Sequence, residues 1–324
     1  MTTVFINGIN NQLGSRVARG LQTSATVRVL GRAACDPTIM HTHGDLLIND
    51  REARSMAGWL HDEQVQVFVH LDMMGEDVPA ASREAELQHN VLGTMQILGI
   101  CAAAGVQRVV LRSSSLVYGA YASNPSFILE NQQPLPRLRR SSLLRDYSEI
   151  DTFAAQFAAS HPTMEVTVLR CAGIVGDTAR SPLSDYLQQS APPMIFGFNP
   201  LVQIVHPDDA ADAWMRAILA PTAGVFHIAA NSLPLVKAIR LTGRQPTLIA
   251  EPMIELARWM GRPNPLKRWP YDRDFLRHPC VVDTQRAQAV LGWQARHTAE
   301  AILRSLSGGR RATPGQTRLH MQEL

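Results

Sequence analysis

The run TVFING leads directly into Gly8-Ile9-Asn10-Asn11-Gln12-Leu13-Gly14 and then into a helical pattern. That order, strand to glycine loop to helix, offers backbone N–H groups at a helix start to a pyrophosphate. The spacing fits GxxGxxG with Asn11 in the middle glycine position, where side-chain atoms stand in the way of an approaching phosphate and weaken its binding. Gly8, Asn10, Asn11, Gln12, Leu13 and Gly14 are the residues expected to touch a cofactor. A ligand-free strand-to-helix turn would use the same residues, so the loop needs company. GDL at Gly44-Asp45-Leu46 follows a third candidate strand and HLDMMG, with Leu71, a fourth, both places where a dinucleotide lies along strand ends. The second strand ends Leu30-Gly31-Arg32, where an acidic residue would bind the adenosine ribose. An arginine suits a 2′-phosphate, which favours NADP over NAD unless Arg32 is a solvated turn residue.

Two further groupings could do chemistry. In LLRDYSEIDTFAAQFAAS the apolar positions Tyr147, Ile150, Phe153, Ala154 and Phe157 recur at helical spacing, so Tyr147 and Asp151, four apart, share a face. PLPRLRRSSLLR carries Arg137, Arg139, Arg140 and Arg145, which could clamp a phosphate or carboxylate or could form a solvated loop. His41, His43 and His70 lack metal-ligand spacing with a third partner, so no metal is expected.

The elements that must position these residues alternate. TVFING, ATVRVLG, VQVFVH, RVVLRSS and EVTVLR read as strands. QLGSRVARGLQ, REARSMAGWLHDE, a long helix from REAELQH through ILGICAAAG, and the helix of Tyr147 lie between them. This is the pattern of a Rossmann-type, doubly wound parallel sheet in the α/β class. After Arg170 the pattern loosens, returns to a helix at DDAADAWMRAIL and a strand at GVFHIAA, and becomes irregular through QPTLIAEPMIELARWMGRPNPLKRWP. The expected division is a nucleotide-binding domain over 1–172 and 202–230, an interleaved substrate lobe over 173–201 and 231–306, and a frayed tail over 307–324.

Composition narrows the partners. Of the net charge of +3, about +2 comes from Arg310, Arg311, Arg318 and Glu323 near the end, leaving no footprint for nucleic acid. Cys35, Cys101, Cys171 and Cys280 have no paired spacing, which fits a reducing compartment. The longest apolar stretch, ILGICAAAG, is too short to span a bilayer, so a cytoplasmic protein without membrane contact is expected.

NVLGTMQILGICAAAGVQRVVLRSSSLVYG (Asn90 to Gly119), LRCAGIVG from Leu169, VHPDDAADA from Val205 and VVDTQRAQAVLGW from Val281 resemble the extended short-chain dehydrogenases/reductases, the NAD-dependent epimerase/dehydratase family. The overall pattern is similar to a UDP-glucose 4-epimerase-like branch whose members also tend to lose the Tyr-and-Lys motif. The resemblance implies that Asn90 belongs with the cofactor contacts, that Ser114 hydrogen-bonds the substrate oxygen and that Tyr147 is the proton donor. It also implies a lysine at 151, which holds the nicotinamide ribose and lowers the tyrosine pKa. Here residue 151 is Asp, and the first lysine in the chain is Lys237. A carboxylate pushes a phenol pKa up, though Asp151 could accept bonds from ribose hydroxyls.

Other departures bear on the substrate. Dehydratase members carry an acidic pair where this chain has Ser115-Leu116, which leaves Ser115 as a candidate substrate contact beside Arg139 and Arg140. Nucleotide-sugar epimerases carry Asn and Arg where this chain has Gly173 and Val202. The resemblance thus implies an NADP- or NAD-dependent epimerase/oxidoreductase acting at an alcohol or ketone carbon of a sugar-like or anionic small molecule, as a homodimer. The rival is a cofactor-binding regulator without turnover.

Overall fold

Apolar residues that alternate along each strand face two different helix layers, and this alternation builds the sheet. The computed structural model describes residues 1–32, 40–42, 50–74, 82–134, 142–176 and 181–308. Its strands are β1 (Thr2–Asn7), β2 (Val27–Arg32), β3 (Met40–Thr42), β4 (Val67–His70), β5 (Arg108–Ser114) and β6 (Glu165–Cys171). The strand Gly224–Ile228 joins the edge beyond β6. All seven run parallel, in the order β3-β2-β1-β4-β5-β6 and then Gly224–Ile228. This is the expected Rossmann-type sheet.

The crossovers are α1 (Gln12–Gln22), α2 (Asp50–Asp62), α3 (Arg83–Leu87), α4 (Gly93–Ala103) and α5 (Ser142–Ser160). Val4, Ile6, Val67, Val69 and Leu169 pack toward α1 and the helix Pro207–Leu219, around Val17 and Trp214. The alternate residues Phe5, Phe68, Val109 and Leu111 face α2 and α4, around Leu60, Ile97 and Leu98. The single helix expected from Arg83 is interrupted by a π turn, Gln88–Leu92, with helical backbone on both sides. A π turn admits an extra residue without ending the helix, and such turns recur near functional sites.

A third apolar cluster draws together the later elements, where Tyr186, Met194, Trp269, Phe275 and Leu303 pack with Tyr147 of α5. The stretch expected to be irregular contains a strand, Thr247–Ile249, paired in parallel with Pro193–Ile195, and a helix, Glu251–Trp259. The strand is three residues long and is defined by a partner more than fifty residues away, a pairing that local periodicity does not report. Ser307 and Gly308, the first two residues of the expected tail, belong to the helix Ala299–Gly308, and residues 309–324 lie outside the described residues. Among the described residues, no helix is long and apolar enough to cross a membrane, and no group of three metal-ligating side chains is present.

Candidate active site

β1 and β4 are neighbours from which the strand order runs outward in both directions, so their C-terminal ends border the crevice where this type of sheet binds ligands. Gly8, just past β1, has φ +87°, and a Cβ there would stand 2.9 Å from the Asp72 amide nitrogen. Only glycine fits that backbone and that approach. A Cβ on Gly14 would collide with the Gly8 carbonyl oxygen, so this glycine sets how closely α1 packs against the loop. Asn10 and Gln12 are exposed at the loop's surface, while Leu13 is buried under it.

Asn11 has a definite task. Its Oδ1 accepts the Gly14 N–H at 2.6 Å and its Nδ2 donates to the Leu71 carbonyl at 3.0 Å. It caps α1 and ties the end of β1 to the end of β4. The cost is that an amide of the loop expected to cradle a phosphate is taken by a side chain, while the Gln12 and Leu13 amides begin the helix at the positive end of its dipole. Asn11→Gly should therefore tighten NAD binding by about tenfold, the equivalent of roughly one hydrogen bond. The same change should lower stability by about 1 kcal/mol through the lost bond to Leu71. Calorimetric titration and urea unfolding would read both, and weaker NAD binding in the variant would refute this account of Asn11.

Leu71 is buried, and its carbonyl also accepts from Arg112 at 3.3 Å. Asn90 is the residue implied as a cofactor contact. It is fully buried in the π turn, accepting the Met74 N–H at 2.8 Å and donating to the Met74 carbonyl at 3.1 Å and to Asp146 at 3.0 Å. Both ends of its amide are spent on shaping the chain after β4. Asp146 is held in turn by Arg83 at 2.8 and 2.5 Å. Deeper in, Asn7 Nδ2 donates to His70 Nδ1 at 2.9 Å, and the opposite ring nitrogen meets Thr94 Oγ1 at 3.0 Å. Asp45, Leu46, Arg137, Arg139, Arg140 and the Arg32 side chain lie outside the described residues.

Ser114 ends β5 and caps the 3-10 turn Ser115–Tyr118, its Oγ accepting the Leu116 N–H at 3.2 Å. Ser115, expected at the substrate, is buried in that turn, as Tyr147 is in α5. α5 packs against this turn and carries Tyr147 into the apolar cluster with Val117 and Tyr118. Tyr147, Ile150, Asp151 and Ala154 are all buried, as their shared helix face requires.

The structure gives Asp151 a partner that the sequence reading did not assign. Its Oδ2 accepts from Arg170 Nε at 2.5 Å, with both side chains almost wholly buried. Burial raises the carboxyl pKa, against the pull of the Arg170 charge and of the Ser113 hydroxyl. The ribose acceptor expected at 151 is thus one half of an internal ion pair. Arg170 also donates to the Tyr118 hydroxyl, which meets His227 Nε2 at 2.6 Å, and His227 Nδ1 lies 2.9 Å from the Asp283 carbonyl. Burial pushes the Tyr118 phenol up to about 12 and pulls His227 down to about 3. The missed signal was an arginine inside the apolar strand EVTVLRC and an aspartate on an apolar helix face, two charges that need each other when buried.

The chain matches the family described as NAD dependent epimerase/dehydratase over residues 4–229. An uncharacterized protein of Mycobacterium tuberculosis is 30% identical over 258 residues, 79% of this chain and 68% of that protein. UDP-glucose 4-epimerase 3 of rice, Oryza sativa subsp. japonica, is 25% identical over 308 residues, 86% of this chain and 76% of its own. The crystal structure of UDP-glucuronic acid 4-epimerase from Bacillus cereus, in complex with UDP-glucuronic acid and NAD, superposes with a TM-score of 0.70 at 14% identity, covering 95% of this chain and 98% of that one. With the parallel sheet and the glycine loop at its crevice, these matches show that the chain belongs to the NAD dependent epimerase/dehydratase family, an oxidoreductase-type group of enzymes.

Proposed function

We propose that this protein is an NAD-dependent oxidoreductase with epimerase-type chemistry, acting at an alcohol or ketone carbon of a sugar-like or otherwise anionic small molecule. The observation that carries the reading is the placement of the glycine loop at the β1–β4 crevice in the same sheet that ends β5 in the Ser114 turn, with the Tyr147 helix packed on that turn. Gly8 and Gly14 let the loop between β1 and α1 close tightly against Asp72 and against itself, the compact turn that a pyrophosphate loop of this kind uses. Bound NAD supplies a carbon that takes up and returns hydride. Ser114 Oγ polarises the substrate oxygen and Tyr147 holds or releases its proton. Arg170, the cation beside residue 151, is matched by the Asp151 carboxylate. Tyr147 therefore works without the unpaired lysine charge that the family's motif provides, and turnover is slow. The relatives' NAD favours NAD over NADP for this chain. The anionic handle rests on Arg139 and Arg140. Helices α4 and α5, packed side by side, are the faces of a homodimer in this reading.

NAD should raise the melting temperature of the wild type, and Tyr147→Phe should keep that shift while lowering turnover on an alcohol–ketone panel by ~10²-fold or more. If neither NAD nor NADP stabilises the protein, the reading fails. Tight NAD binding with wild type, Tyr147→Phe and Ser114→Ala all equally inactive would favour a cofactor-binding regulator instead.

A further inference from the structure

A partly open pocket lies beside the Ser115–Tyr118 turn, with about 390 Å³ of empty space that includes open solvent. Leu116 of that turn, Leu183, Leu201, Val202, Trp269 and Phe275 form most of its wall, and among the described residues no lysine, arginine, aspartate or glutamate lines it. Two of the polar groups in the lining are already committed. Gln203 donates to the Ala230 and Val282 carbonyls at 3.3 and 3.1 Å and accepts the Val282 N–H at 2.8 Å. Cys280 directs its thiol to the Ser115 carbonyl at 3.5 Å, and burial pushes that thiol up to about 12, so it stays neutral. Tyr271 and His278 complete the polar part of the lining.

The two positions at which nucleotide-sugar epimerases carry Asn and Arg, Gly173 and Val202, both line this cavity. Gly173 is not simply a deletion. A Cβ there would stand 2.6 Å from Leu183 Cδ2, so a leucine occupies the space that a side chain at 173 would need. The polar group and the guanidinium have been exchanged for a matched apolar surface. A diphosphate entering this space would give up its water with no lysine or arginine among the described lining residues in return.

We propose that this cavity receives a neutral, apolar or aromatic portion of the substrate, in place of a nucleoside diphosphate. The inference rests on the reading above that the Ser114 turn carries the reacting oxygen. The ligand is then an alcohol or ketone held by its carbon skeleton, and an anionic group, where the substrate has one, must lie outside this cavity. Trp269 in the wall makes occupancy visible by fluorescence.

The test titrates the full chain, with and without saturating NAD, with acetophenone as an aromatic ketone, with UDP-glucose and with UDP. The expected result is saturable fluorescence quenching by acetophenone and none by UDP-glucose or UDP. Val202→Arg and, independently, Leu201→Arg at a half-exposed position should weaken the ketone on the order of tenfold or more, with NAD affinity unchanged. Binding of UDP-glucose or UDP in preference to the ketone would overturn the proposal, and so would binding of none of the three. Loss of NAD binding alone would sink the parent reading, while the cofactor-free titration would still decide what the cavity takes.

Discussion

Asp151→Lys, the change that restores the family's motif, should cost this protein its fold instead of speeding its chemistry. The carboxylate it removes is the partner of Arg170, with side chains 1% and 5% exposed. Removing one member of a buried pair typically costs about 3–5 kcal/mol, and here a second cation would be placed against the first. That is comparable to the whole stability of many domains. Urea unfolding should show Asp151→Lys with a collapsed midpoint or no folded baseline, and Asp151→Asn with a smaller loss because it avoids the added charge. The charge-exchanged double variant Asp151→Lys with Arg170→Asp should recover part of the difference, a coupling that a double-mutant cycle measures directly. An Asp151→Lys protein with wild-type stability and faster turnover would show that the ion pair is dispensable and that lysine is merely missing.

Acid should unfold the protein through His227. The donors along its network run one way: Arg170 to the Tyr118 hydroxyl, that hydroxyl to Nε2, and Nδ1–H to the Asp283 carbonyl. A proton on Nε2 would face the hydroxyl that now donates to it, in a fully buried site beside a guanidinium. Burial, with the Arg170 charge, is why the ring titrates at about 3 against an ordinary 6.5. The folded pKa is depressed, so the unfolded chain binds the proton first. The stabilisation is complete above pH 6.5 and is lost as pH falls toward about 3. At ~1.4 kcal/mol per pH unit, the loss across that window is on the order of 4–5 kcal/mol. Glu130, 3.6 Å from the ring, has its own pKa raised by burial and works in the opposite direction. The informative quantity is therefore the difference between wild type and His227→Gln in stability measured from pH 7 to pH 4. Parallel curves for the two proteins would remove His227 from the account.

Both predictions rest on partners that the linear sequence did not mark, Arg170 for Asp151 and the buried network of His227, and the reason is physical. Periodicity reports which face of an element is apolar, and that was enough to place α1, α5, the strands TVFING and RVVLRSS, and the common face of Tyr147 and Asp151. Strand-to-helix order was likewise enough to put Gly8 and Gly14 in a tight turn between β1 and α1, because the backbone demands of such a turn are local. The strand Thr247–Ile249, by contrast, exists through pairing with a segment far along the chain. Asn90 carries the residue type of a ligand contact, and only the folded chain reveals that Met74 and Asp146 use its amide.

What the sequence by itself determined is the parallel sheet, the position of the glycine loop and the absence of a lysine near Tyr147, since these depend on spacing and composition. The tertiary structure decided the rest. It turned Asp151 inward to Arg170, made Asn11 a cap and a strap between β1 and β4, and closed Gly173 against Leu183 in a pocket with a largely apolar described lining. A buried charge or polar group is defined by the partner that compensates it, and such partners come from elements that only folding brings together.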